Sequence, residues 1–304
     1  MIGTIAWHQI RSFRRHQTFM ATFAILLAMT ALAGVLGWSS HHTIARVYDQ
    51  AATLLADSGK PAPPNPFVLK PALSLLSNMV VYIPLIGALI ALVLGHMCIV
   101  DDEVNGIGRL VFSRHVKRSG YILGKVASVA VVLAVILAAC ALVEVLSVAI
   151  INRALSVDDL IRLGLFSVLS WLYVLSFALI GIVTVLLVRT RSLALLAALG
   201  IWMAITFVVP QVTSGLRPTQ SLNPITDPAN TTQAFFRVTS KLRPYSLVEQ
   251  FKGASGRILQ TTAAEPTLQT IHRVVVVAAT AIGLTLLAVL LVRRHDFSRS
   301  VSNG

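Results

Sequence analysis

Six long runs of apolar residues constrain this chain more than any other feature of its sequence. A helix needs roughly 20 apolar residues to cross the hydrocarbon core of a membrane. We predict six spans, at Phe19–Trp38, Met79–Val100, Tyr121–Ile151, Leu163–Val188, Leu193–Val209 and Val274–Val292. The predicted fold class is therefore an all-α membrane protein, in which residues 1–304 form a single transmembrane domain.

The composition excludes a soluble globular domain. Hydrophobic residues make up 56% of the chain and charged residues only 12%, whereas soluble domains carry about 25% charged residues. A surface so poor in charge can face lipid but not water. The net charge of +13 would suggest nucleic-acid binding in a soluble protein. Basic residues at the ends of membrane spans explain that charge better, so we predict the lipid bilayer as a partner and no nucleic acid.

The distribution of Lys and Arg predicts the orientation, because short cytoplasmic loops retain positive charge. With the N-terminus inside, the inside segments hold thirteen such residues: Arg11, Arg14, Arg15, Arg109, Arg114, Lys117, Arg118, Lys125, Arg189, Arg191, Arg293, Arg294 and Arg299. The short outside loops hold five: Arg46, Lys60, Lys70, Arg153 and Arg162. Both termini are therefore predicted to be cytoplasmic.

Segments outside the spans also carry helical patterns. Residues 1–16 predict an N-terminal interfacial helix, because their apolar side chains share one face. The extracytoplasmic segment 39–77 contains an amphipathic stretch that ends at Gly59. The extracytoplasmic segment 210–273 predicts two amphipathic helices broken at Pro244, which either pack together outside the membrane or dip into its outer face. The second helix begins with a capping box from Ser246 to Glu249.

The loop between the second and third spans carries the most informative pattern. Its first residues, Asp101, Asp102 and Glu103, suit the N-terminus of a helix, where carboxylates meet the positive end of the helix dipole. Val104, Ile107 and Val111 follow at helical spacing, and the rest of the loop is basic. A short, partly apolar helix at the membrane face is suited to docking on another protein.

This loop resembles the signature region of type-2 ABC exporter permeases. The residues that match that region, in order, are Glu103, Gly106, Leu110, Val111, Phe112, Ser113, Arg114, Val116, Arg118, Gly124 and Lys125. Three positions depart from the family pattern: Ile107 stands for threonine, His115 for proline and Lys117 for serine. The layout of the whole chain is also similar to that of permeases that serve nitrous oxide reductase maturation.

The resemblance implies that the loop is a coupling helix that docks on a separate ATPase subunit. The implied coupling residues are Glu103, Gly106, Ile107, Leu110, Val111, Arg114 and Arg118. Glu103 would stabilise the start of the helix, and Gly106 would let the helix lie close to a groove wall. The family arrangement implies a homodimer of permeases in a prokaryotic plasma (inner) membrane, bound to two ABC ATPases. Those ATPases would bind ATP and Mg²⁺ and would drive export.

Nothing in the sequence predicts chemistry within this chain. Residues 119–126 approach a phosphate-binding loop, but Ser119 replaces its first glycine and Val126 replaces its hydroxyl residue. We therefore predict no ATPase activity, no catalytic residue and no cofactor here. His96-Met97-Cys98 is interpreted as helix packing rather than a metal site, because adjacent helical residues point about 100° apart.

Several interpretations stay open at this level. Glu144, an acid within a span, either serves the transport pathway or gate or pairs locally, for example with Arg153. The small face of Gly87, Ala91 and Gly95 packs either within the subunit or at a dimer interface. The alternative functions are a secondary transporter and a membrane scaffold for an extracytoplasmic maturation partner.

Overall fold

The computed structural model describes residues 2–13, 17–61, 64, 72–107, 111, 116–152, 155–188, 190–216, 220, 222–223, 234–261 and 267–295. Over these ranges the chain is almost entirely helical and contains no strand. Six helices are long and apolar enough to cross a membrane. The predicted all-α membrane class with six spans is therefore confirmed.

We number the helices in chain order. They are α1 (Ile2–Phe13), α2 (Gln17–Asp57), α3 (Ser77–Val104), α4 (Arg118–Asn152), α5 (Val157–Leu187), α6 (Arg191–Ser214), α7 (Ala234–Thr239), α8 (Leu247–Ile258) and α9 (Thr267–Leu291). The six spans are α2 to α6 and α9, and each contains most or all of one predicted apolar run. Single 3₁₀ segments, Ala72–Leu76 and Ser240–Tyr245, precede α3 and α8.

Helix α5 is the centre of the bundle. In α5, 83% of the most apolar window is buried, against 17% to 22% in α2, α6 and α9. Helices α3 and α5 touch backbone to backbone: a Cβ atom added at Gly95 would overlap the carbonyl oxygen of Ala178, and one at Gly181 would overlap that of Leu92. Small residues allow this close approach. The small-residue face of α3 therefore packs within the subunit.

Two spans contain a π-helical turn, in α3 at Ile83–Gly87 and in α6 at Ala204–Val208. A proline lies in or just after each turn, and proline removes one backbone donor from the helical ladder. The sequence suggested that the fifth span ends at Pro210. Instead, the π turn accommodates that proline, and the helix continues to Ser214. The indole of Trp202 donates a 3.3 Å hydrogen bond to the carbonyl of Pro84 and so joins the two irregular spans.

Helix α2 is much longer than its apolar run. Its 41 residues extend about 60 Å at the helical rise of about 1.5 Å per residue, whereas the hydrocarbon core is about 30 Å thick. The amphipathic stretch predicted after the first span is the continuation of this helix rather than a separate element. It ends as predicted beside Gly59, whose φ of +70° is the left-handed conformation that glycine favours at a helix end.

Helix α8 packs against the spans instead of standing apart from them. The ring of Phe251 is fully buried and lies 4.5 Å from the ring of Tyr173, near the middle of α5. Helix α8 is thus packed on the spans, and whether it dips into the outer face of the membrane stays a prediction. The capping box is half formed: the Ser246 hydroxyl accepts from the Glu249 N–H at 3.4 Å. The Glu249 carboxylate instead binds Arg243 at 3.1 Å.

Candidate functional site

The acids of the predicted coupling loop lie at the end of a span, not at the start of a new helix. Helix α3 continues through Asp101, Asp102 and Glu103 to Val104. The prediction that these carboxylates stabilise a helix N-terminus is wrong, because they occupy the last turn, where the dipole is negative. Carboxylates in that position need cationic partners, and the structure supplies them from several other helices.

The first partner set surrounds Asp102. The Lys125 ammonium of α4 lies 2.6 Å from the Asp102 carboxylate, and the two side chains are only 3% and 6% exposed. The Tyr121 hydroxyl donates to the same carboxylate oxygen at 2.7 Å. Lys125 also donates to the side-chain oxygen of Gln9 at 2.6 Å. This buried cluster joins α1, α3 and α4.

The second partner set surrounds Glu103. Its carboxylate lies 3.0 Å from Nε2 of His295 and 3.7 Å from Nε of Arg191. The other ring nitrogen of His295, Nδ1, lies 3.2 Å from the carbonyl oxygen of Leu186. The two ring nitrogens of His295 thus contact two different elements, α3 and α5. Glu103 therefore joins the end of α3 to the end of α5, the start of α6 and the segment after α9.

Arg118 connects the other end of the loop to the segment after α9. At the first residue of α4, its guanidinium donates to the carbonyl oxygens of Arg293 at 2.9 Å and of His295 at 3.1 Å. We call the set Gln9, Asp102, Glu103, Arg118, Tyr121, Lys125, Arg191 and His295 the polar hub. Both ends of the loop between α3 and α4 enter the hub, whose residues lie on α1, α3, α4 and α6 and after the end of α9.

Gly106 has a role in the chain's own backbone, in addition to the close approach to a partner that the sequence predicts. Its φ is +65°, and its N–H contacts the carbonyl of Glu103 at 3.4 Å, so it ends α3 in the left-handed conformation. A Cβ atom added there would meet nothing within 4 Å. Within the chain, the backbone conformation therefore explains this glycine. Contact with a groove wall would involve a partner and stays a prediction.

The structure describes only some of the remaining predicted coupling residues. Ile107 and Val111 are helical and half-buried, and Val111 packs against the core. Leu110 and Arg114 lie outside the described residues. The sequence interpretation missed Gln9, Tyr121, Arg191 and His295. One signal was available: Lys125 lies inside a predicted span, and an ionisable residue in a span is expected to have a partner.

Glu144 is not part of the polar hub. Its side chain is 3% exposed, and its Oε2 atom has no hydrogen-bond partner among the described residues. Ser147, one turn further along α4, contacts α2 at Gly34. Arg153, the suggested partner, lies outside the described residues. A role in the pathway and a local pair both stay predictions.

The His96-Met97-Cys98 run packs between helices. Cys98 is fully buried, and its thiol donates to the carbonyl of Lys125 at 3.9 Å. Within the described ranges, no group of three or more His, Cys, Asp or Glu side chains could hold a metal ion.

A family model described as ABC-2 family transporter protein matches residues 3–297, almost the whole chain. No curated protein matches.

Proposed function

The chain belongs to the ABC-2 family of transporter proteins, and from that premise we propose that it is an export permease driven by a separate ATPase subunit. Its place as a multi-pass membrane subunit of an ABC transporter follows from the family and the six spans. The proposal adds the export direction, two ATPase partners that bind ATP and Mg²⁺, and a second copy of this chain as a homodimer.

The polar hub is the observation that carries this proposal. A permease without nucleotide chemistry of its own must receive force at its surface and pass it to its spans. The loop between α3 and α4 is anchored at one end by Asp102 and Glu103 and at the other by Arg118. The pair of Asp102 and Lys125 is buried, and separating a buried ion pair leaves an uncompensated charge, so this anchor resists displacement. The loop is therefore well placed to act as the transmission element.

The fold of residues 119–126 supports the dependence on a partner. They lie in the first turns of α4, which begins at Arg118. A phosphate-binding loop needs backbone N–H groups that point at the phosphates, whereas the N–H groups within a helix are committed to the helical ladder beyond its first turn. We therefore propose that this chain does not hydrolyse ATP.

The orientation is part of the same proposal. The excess of basic residues at the hub end of the bundle supports cytoplasmic termini and a cytoplasmic hub. Segments 39–77 and 210–273 would then be extracytoplasmic, and the membrane would be the plasma (inner) membrane of a prokaryote. The chain would form one transmembrane domain.

A scaffold role for an extracytoplasmic partner can coexist with transport. The second half of α2 extends beyond its apolar run and exposes Val47 and Leu54, which are 60% and 70% exposed. Apolar residues on a projecting helix are suited to protein contact. The resemblance to permeases that serve nitrous oxide reductase maturation stays a proposal.

The test of the coupling proposal begins with affinity purification of the tagged chain from its native membranes. We expect an ABC ATPase to co-purify. Glu103→Gln should leave membrane insertion and permease dimerisation intact but weaken ATPase co-purification or uncouple hydrolysis from transport. Asp158→Asn is the matched control, because it removes an exposed pair with Arg162 at the other end of α5. If Glu103→Gln retains the ATPase and normal coupling, the loop is not the transmission element.

A further inference from the structure

The stretch of chain just before α8 exposes an apolar surface. Helix α7 (Ala234–Thr239) continues directly into the 3₁₀ segment Ser240–Tyr245, and we call residues 234–245 the α7 segment. The structure describes every residue of this segment and buries none of them. The exposed fractions of its apolar side chains are 57%, 66%, 57% and 80% for Phe235, Val238, Leu242 and Tyr245.

These four apolar side chains share one face of the α7 segment. They follow one another at spacings of three, four and three residues, which is the pattern of an apolar stripe along a helix. The opposite side carries Arg243, whose guanidinium binds the Glu249 carboxylate of α8 at 3.1 Å. The segment therefore contacts α8 through its polar side, and its apolar face points away from α8.

A helical segment of this length needs an apolar surface to pack on. Isolated helices shorter than about 12–15 residues are marginal in water, and most helical stability in proteins comes from packing an amphipathic face. Within the described chain the α7 segment lacks such packing, because its apolar face stays exposed. An exposed apolar patch of this kind marks contact with a membrane or with another protein.

The position of the α7 segment favours the membrane. Its helical part packs on the last turns of α6. At its other end, Tyr245 lines a cavity together with Val209 of α6 and Leu284 of α9, and both of these residues belong to helices that span the membrane. The Tyr245 side chain thus lies at the level of the apolar spans while it is 80% exposed. At that level the surroundings of the bundle are lipid rather than water.

The cations of the segment suit the same position. Arg237 and Lys241 lie outside the apolar stripe and are exposed. Long basic side chains can rest their carbon atoms on an apolar surface while the charge reaches the headgroups. Helices that lie in the membrane interface combine a basic polar face with an apolar face of residues such as Phe and Leu.

We propose that the α7 segment lies in the membrane interface, where Phe235, Val238, Leu242 and Tyr245 contact lipid acyl chains. A second copy of the chain fits this face less well. The segment contains cations and no acid, so a two-fold contact between identical surfaces would place like charges side by side. The inference rests on the proposed function only for the leaflet, which is the outer one if the hub is cytoplasmic.

The test uses the purified full-length chain in phosphatidylcholine nanodiscs that hold a single copy. A thiol-reactive fluorophore is attached to Val238→Cys, on the apolar face, or to Ser240→Cys, on the polar side. Cys98 and Cys140 are buried and should not react. Phosphatidylcholine with a nitroxide on its acyl chain quenches a fluorophore within the membrane, whereas iodide quenches one in water.

We expect the two positions to respond in opposite ways. The label at position 238 should be quenched by the nitroxide lipid and should lose quenching by iodide. The label at position 240 should be quenched by iodide and not by the lipid. Both leaflets carry the nitroxide, so this result does not depend on the orientation of the chain.

A matched pair of charge substitutions tests the apolar face itself. Leu242→Asp places a carboxylate on that face, so the label at position 238 should leave the lipid and regain quenching by iodide. Ser240→Asp introduces the same charge on the polar side and should leave that label in the lipid. Phe235→Cys, on the same face, carries the label if Val238→Cys elutes as an aggregate.

Three results would overturn the proposal. The first is quenching of the label at position 238 by iodide in single-copy nanodiscs. The second is protection from both quenchers, which would place the face against the chain itself. The third is protection from iodide only in nanodiscs with two copies, which would assign the face to a second copy. The nanodiscs contain no ATPase, so failure here leaves the coupling proposal untouched.

Discussion

Replacing Lys125 with methionine removes the one cation of the buried pair in the polar hub. The Lys125 ammonium lies 2.6 Å from the Asp102 carboxylate, and neither side chain is more than 6% exposed. Breaking a buried pair by removing one partner costs about 3–5 kcal/mol, because an uncompensated charge remains. Tyr121 still donates to that carboxylate at 2.7 Å. We therefore expect a loss near the lower limit, about 3 kcal/mol of the free energy of unfolding.

A second substitution separates the cost of the uncompensated Asp102 charge from the loss of the Lys125 side chain. In the double variant Asp102→Asn/Lys125→Met no charge is left, and the Asn oxygen can still accept the hydrogen bond from Tyr121. Replacing both charges of a buried pair is often close to neutral, so the double variant should recover about 2 of the 3 kcal/mol. Its stability should return even though the rigid link between α3 and α4 does not, so coupling should stay impaired.

The measurement is equilibrium unfolding of the purified chain in mixed micelles with increasing dodecyl sulfate. The control is Arg162→Met, which breaks the pair with Asp158 whose side chains are 31% and 64% exposed. Exposed pairs contribute about 0–1 kcal/mol. If Lys125→Met is as mildly destabilised as this control, or if the double variant is no more stable than the single one, the hub is not a rigid connection.

Two further predictions concern the end of α3 and the orientation. Gly106→Ala should lower the free energy of unfolding by about 1–2 kcal/mol, the cost of a left-handed conformation for a residue with a Cβ atom. The control is Gly164→Ala, in the interior of α5 with open space around the added Cβ. This variant should raise the free energy of unfolding by about 0.5–1 kcal/mol. If both variants lose stability by the same amount, the left-handed φ does not explain Gly106. An impermeant thiol reagent should modify a cysteine at the exposed Ser240 in intact cells and spare one at the exposed Asn105. The reverse pattern would contradict cytoplasmic termini.

The sequence by itself determined the spans. Lipid offers no hydrogen-bond partners, so each spanning segment must satisfy its backbone internally, and an apolar run of sufficient length becomes a helix whatever surrounds it. The end of α2 beside Gly59 and the start of α8 after Pro244 were equally local, because proline and glycine act on their own backbone. Local pattern alone gave the wrong prediction for Asp101, Asp102 and Glu103. Carboxylates suit a helix start, but nothing nearby breaks α3 before Gly106.

The functional residues also fall into those that local sequence identifies and those that only packing brings together. Glu103, Gly106 and Arg118 could be selected from the order of residue types in one loop, since a motif lies along the chain. Their partners could not, because His295 and Arg191 reach Glu103 only through the rotation and depth of separate helices.

Only the tertiary structure decided which polar residues meet and where α8 lies. Asp102 and Lys125 belong to different spans, and their contact depends on the packing of α3 against α4. Helix α3 is itself held close to α5 by backbone contact at Gly95. The burial of Phe251 against Tyr173 likewise depends on the space that α5 and α9 leave between them. An apolar pattern specifies that a face must be covered. Which helix covers it depends on the distance and angle between elements far apart in the chain, and that information is present only in the packed bundle.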